Sequence, residues 1–174
     1  MGPFGFLSRR RLLAAGLGGG VLIAAGVGGL AALRGTAPAV AGLSVLSAQE
    51  YRTLANIARA QLPRGGPFEL GAEDFDLPRA FDGFLKNEAA ENVRDLRRAL
   101  LLFEYGPVLF EGHFVTFSNL SVEQRAKHWE AWCQSDTTLR RQVALAFRKF
   151  LSMVFYDTPE VWPSIHYPGP LIGS

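Results

Sequence analysis

The chain has 174 residues, 48% hydrophobic and 20% charged, a balance that excludes a disordered protein and suits a single domain. Its formal charge of +2 is unevenly spread: residues 1 to 41 hold Arg9, Arg10, Arg11 and Arg34 and no acid, whereas the remainder carries 14 bases and 16 acids. That near-neutral body leaves no basic stripe for nucleic acid, and a single cysteine, Cys133, excludes an internal disulfide framework and a zinc site built from cysteines.

The N-terminal segment reads as an address. Ser8-Arg9-Arg10-Arg11-Leu12-Leu13 leads into 22 uncharged residues from Leu12 to Leu33, diluted by seven glycines. A basic start, an apolar run and small residues form a signal peptide, and Ser8, Arg9, Arg10, Leu12 and Leu13 match the twin-arginine pattern. Ala14 stands where that pattern usually has lysine, and Arg34 resembles the basic residue that often follows the apolar run. Ala39-Val40-Ala41 is a small-x-small cleavage pattern, so residues 1–41 are expected to be removed and the mature chain to begin at Gly42. The alternative is a retained membrane anchor, since 22 residues at ~1.5 Å per residue just cross a hydrocarbon core of roughly 30 Å. Either way the domain is exported, to the periplasm. The twin-arginine route carries folded proteins, often with a partner already bound.

The body is expected to be an all-α bundle of about five helices over residues 42–156. Ser47-Ala48-Gln49-Glu50 is a capping box, followed by apolar Tyr51, Leu54, Ala55, Ala58 and Leu62 at helical spacing and a stop at Pro63-Arg64-Gly65-Gly66-Pro67. Asp76 as N-cap and Pro78 in the first turn open a second helix bearing Phe81, Phe84 and Leu85, which breaks near Asn87. Val93, Leu96, Leu100 and Phe103 continue the stripe, with Gly106-Pro107 as its end and a loop over 106–120. Ser121-Val122-Glu123-Gln124 is a second capping box, for a helix presenting Trp129, Trp132 and Cys133. Asp136 is the expected cap of the last helix, whose stripe runs through Leu139, Val143, Phe147, Phe150, Leu151 and Val154. Residues 157–174 hold four prolines and are expected to form an extended tail.

Chemistry-bearing residues are sparse. His113, His128 and His166 share no metal-ligand spacing, and Glu50, Glu88, Glu91, Glu104 and Glu130 are expected mostly on solvated helix faces. Ser44, Ser47, Ser118 and Ser121 suit turns and caps, no GxSxG surrounds a serine, and the body lacks a P-loop or a GxGxxG. No catalytic residue, metal ligand or cofactor is therefore assigned. The alternatives to a partner-binding role are a membrane-tethered helical structural protein and a stand-alone exported enzyme using His113 or His128 with a helix carboxylate, against which the lack of convergent spacing argues. Cys133 is either a small buried hydrophobe or a partner for a cysteine on another subunit. Eleven Phe, four Tyr and three Trp in residues 42–174 are a heavy aromatic load for so small a bundle, which directs some toward a partner. Trp129, Trp132 and Cys133, with Trp162, Tyr167, Pro168, Gly169 and Pro170 in the tail, are the expected partner-binding residues. The tail either wraps its own bundle or clasps another protein, and a chain ending at Tyr156 is expected to stay folded.

The sequence resembles the gluconate 2-dehydrogenase subunit 3 family. The resemblance rests on the twin-arginine start, on Leu46-Ser47-Ala48-Gln49-Glu50 leading to Leu62-Pro63, on Phe117 to Arg125 followed by Trp129 and Trp132, and on Phe155-Tyr156 with Tyr167-Pro168-Gly169-Pro170. Members often have glycine before that tyrosine, where this chain has His166. The resemblance implies a noncatalytic small subunit that lends its signal, through the twin-arginine translocase, to a large FAD-dependent sugar or alcohol dehydrogenase lacking one, and that supports its maturation. It implies FAD in the partner rather than on this chain; in such systems a cytochrome c subunit often takes the electrons, and the sequence does not name this one's acceptor.

Overall fold

The computed structural model describes residues 33–66 and 69–170. The expected export residues Ser8, Arg9, Arg10, Leu12 and Leu13 lie outside them, as does the apolar run before Leu33. Among the described residues the protein is all helical, without strands, and no helix is long and apolar enough to cross a membrane.

Both capping boxes form. At the start of α1 (Ala48–Gln61) the Ser47 hydroxyl accepts the Glu50 amide at 3.3 Å while the Glu50 carboxylate accepts the Ser47 amide at 2.7 Å. The Asp76 carboxylate caps α2 (Leu77–Leu85) by accepting the Arg79 amide. α3 runs Ala90–Glu104, and Ser121 with Gln124 opens α5 (Val122–Cys133). The N-cap of α6 (Thr138–Tyr156) is Thr137 rather than Asp136, and it makes no side-chain capping bond. α1 is the hub, packing against α2, α3, α5 and α6, while α6 also packs against α2, α5 and the tail.

The loop expected over 106–120 contains more structure than its turn residues suggested. Gly106 and Pro107 begin a short helix, α4 (Gly106–Phe110), because proline is tolerated where its missing N–H has no helical partner. Gly106 is required by close approach: a Cβ there would come within 2.8 Å of both His128 and Trp132. A 3-10 turn then spans Phe117–Asn119.

The core centres on Phe103 of α3, whose ring lies 4.6 Å from Trp132, 4.8 Å from Phe117 and His128, and 5.7 Å from Phe147, centroid to centroid. These edge-to-face and tilted contacts join α3, α5, α6 and the 3-10 turn in one aromatic cluster. Glu104, expected on a solvated face, is instead fully buried and accepts bonds from Thr53 Oγ1 at 2.9 Å and Ser118 Oγ at 2.7 Å. Those bonds satisfy a carboxylate that would otherwise be costly inside. Phe84 departs in the other direction, being exposed on α2 while stacking on Phe81.

The tail is the main difference from expectation. Pro159–Ile165 is a 3-10 helix, not an extended run, and it seats Val161 in the core with no exposed surface. Pro159 lies in the first turn, where no amide is needed, and Pro163 is tolerated in this short irregular helix. His166 closes it in the left-handed conformation, at φ 54° and ψ 34°. Its amide donates to Pro163 O and the Tyr167 amide to Trp162 O, the two bonds of a Schellman stop. Histidine therefore occupies a conformation that glycine adopts more readily.

Candidate functional site

The C-terminal residues expected to bind a partner come together in one small hook. Trp162 is half-buried, and its Nε1–H donates to Tyr156 O at 3.0 Å. The Tyr167 ring meets the Trp162 ring edge-on at 5.4 Å and 82°, and Gly169 is buried against the same indole, where a Cβ would lie 3.2 Å from Cζ3. Gly169 also has φ +99°, which favours glycine twice over. The folding of Tyr167 to Pro170 back on Trp162 leaves Tyr167, Pro168 and Pro170 exposed, and Met153 and Tyr156 of α6 are exposed as well. Beside it, a groove of about 320 Å³ is lined by Gln61, Leu62, Trp129, Arg148, Phe155 and Tyr156.

Trp129 and Trp132 do not reach the surface as partner anchors would. They are 5% and 0% exposed, because the stripe that displays them on α5 packs against Phe103 of α3 and toward α6. Cys133 is half-buried, with Arg148 Nη2 donating to its Sγ at 3.2 Å. Burial raises the thiol's pKa against the pull of Arg148, which lowers its thiolate population and its reactivity toward a partner cysteine.

An apolar surface was missed. Leu109, Phe110, Phe114 and Val115 are exposed in and just after α4, Phe114 by 86%. Their signal was two apolar pairs without helical period, Leu109-Phe110 and Phe114-Val115, on either side of Gly112.

The structure also pairs His128 with Glu111, Nδ1 to Oε1 at 2.6 Å, with Arg140 at 3.5 Å from the same oxygen. A carboxylate holding an imidazole is a general-base arrangement in outline. Here Nε2 is buried against Gly106, without the space a reacting atom would need. Desolvation lowers the imidazole pKa, Glu111 and the Phe103 backbone opposing it and Arg140 adding to it. An unfolded chain takes up this proton near pH 6.5 while the folded chain resists it, so stability should fall as pH drops below ~6.5. Urea unfolding at pH 7 and pH 5 is expected to show that loss, smaller in His128→Asn, whose amide can replace Nδ1–H; an equal loss in both chains would contradict the assignment. No group of three or more His, Cys, Asp or Glu among the described residues could hold a metal ion.

The junction ahead of α1 is tightly held. Asp82 of α2 accepts three successive backbone amides, Ser44 at 2.7 Å, Val45 at 2.9 Å and Leu46 at 2.7 Å. Arg79 Nη1 donates to Ala41 O at 2.8 Å, beside the expected cleavage point, where Ala39, Ala41 and Gly42 are exposed. Farther upstream, Asn119 Nδ2 donates to Leu33 O at 2.9 Å and Gln49 Nε2 to Gly35 O at 2.8 Å, while Arg52 Nη1 reaches Arg34 O at 3.4 Å. The sequence offered no sign of this clamp, whose members lie 14 to 86 residues from the carbonyls they hold.

Compared with protein-family models, curated proteins and solved structures, the chain matches none. Its class is thus defined by its fold alone: a small all-α bundle closed by a C-terminal hook.

Proposed function

We propose that this chain is the noncatalytic escort and accessory subunit of an exported FAD-dependent sugar or alcohol dehydrogenase, to which it lends a twin-arginine signal and whose maturation it supports. The observation that carries this reading is the preformed hook: Tyr167, Pro168 and Pro170 are held outward by Trp162, with Met153 and Tyr156 exposed on α6. A surface already ordered loses little entropy when it binds, and exposed aromatics that anchor interfaces supply much of the energy. The small-subunit resemblance supplies the partner's class, with FAD bound there; a cytochrome c subunit often takes the electrons in such systems.

Binding of the large FAD-containing subunit tests the hook. Tyr167→Ala is expected to weaken that binding about 30-fold, the equivalent of ~2 kcal/mol, while changing the chain's own stability by no more than ~1 kcal/mol. Unchanged binding would remove the hook as the anchor.

A further inference from the structure

The clamp and the exposed apolar surface lie next to one another along the chain. Asn119 holds the Leu33 and Arg34 carbonyls, and Arg52 braces Asn119 by donating to its Oδ1 at 2.6 Å and to Ser118 O at 3.2 Å. Gln49 completes the clamp on Gly35. All these bonds to residues 33–35 go to backbone carbonyls, so they fix where the chain enters the bundle whatever its side chains. From Asn119 the chain leads back through buried Thr116, Phe117 and Ser118 to exposed Val115 and Phe114. Asn119 lies five positions after Phe114, so their Cα atoms are at most about 18 Å apart.

From these contacts we infer that Phe114 and Val115, with Leu109 and Phe110, form an intramolecular docking surface for the apolar N-terminal segment, residues 12–32 of the same chain. That segment is the uncharged run outside the described residues, and it ends at the clamp. Even at a helical rise of ~1.5 Å per residue its length exceeds the distance to Phe114. Tethering at Leu33 gives it an effective concentration on the order of millimolar at the loop, above that of a second copy or another protein at ordinary concentrations. An apolar segment and an exposed phenylalanine both gain by leaving water together. Gln49 and Arg52 come from α1 and Asn119 from the 3-10 turn, so the dock exists only once the bundle has folded. It thereby keeps the segment shielded on a folded body until a membrane or translocase takes it. Nothing in this depends on whether the segment is later cleaved or on which enzyme is escorted.

A photoreactive benzophenone amino acid placed at Phe114 of the full-length chain, irradiated and mapped by mass spectrometry, reads the occupant. Crosslinks within one chain to residues 12–32 are expected, several-fold more than from the same label at exposed Leu145. They should fall at least three-fold in the Arg52→Ala/Asn119→Ala chain and less in Gln49→Ala, the milder variant should the double one unfold. Crosslinks to a second copy, to another protein or to no peptide of this segment would overturn the proposal, as would yields unaffected by the variants in folded chains. Because the purified chain is measured, failure here is distinct from failure of the escort function.

Discussion

An Asp82→Ala chain is expected to be about 4 kcal/mol less stable than the parent in urea unfolding at pH 7. Asp82 is 2% exposed and accepts the amides of Ser44, Val45 and Leu46, so alanine leaves three donors without an acceptor, the Leu46 amide in a buried setting. Burial would raise the carboxyl pKa, but the three amides outweigh it and hold it below the ordinary aspartate value. The stabilisation is therefore present above pH ~3.9, and it is lost as pH falls through the lowered folded value. A loss under ~1 kcal/mol at pH 7 would show that the junction does not depend on this carboxylate.

Ending the chain at Tyr156 is expected to cost about 4 kcal/mol and a clear drop in melting temperature. The cut removes Val161 from the core and uncovers the end of α6 against which the 3-10 helix packs. It also removes Trp162, which bonds Tyr156 O. A chain ending at His166 keeps Val161 and Trp162 and loses only the Tyr167–Pro170 part of the hook, so it should melt within a few degrees of the parent. Equal melting of the two shortened chains would contradict the placement of Val161. The chain ending at Tyr156 is thus a test of folding, and the chain ending at His166 separates partner binding from it.

What could be read in the sequence was mostly local. The Ser47 and Ser121 capping boxes announce α1 and α5 because cap and partner lie three residues apart, and the stripe from Val143 to Leu151 marks α6 by its period. Periodicity shows that Trp129 and Trp132 share a face but not what that face meets, which is why their burial against Phe103 was not foreseen. Glu104 is satisfied by Thr53, 51 residues away, a pairing no local pattern encodes. The four tail prolines were read as excluding a helix, yet a short 3-10 segment tolerates them, and the buried Val161 holds it to the bundle. The hook residues Trp162, Tyr167 and Gly169 were legible as a group because they lie within eight positions of each other; the clamp of Gln49, Arg52 and Asn119 was not, because only the fold assembles it.

The escort function is tested most directly by replacing Arg9 and Arg10 with lysine and assaying FAD-linked sugar and alcohol dehydrogenase activity in the periplasm and cytoplasm of the same cells. The account predicts that periplasmic activity disappears together with this chain while the large subunit remains in the cytoplasm, because the arginine pair is the recognised element of the signal this chain is proposed to lend. Periplasmic dehydrogenase activity at the parental level in that double mutant would contradict it.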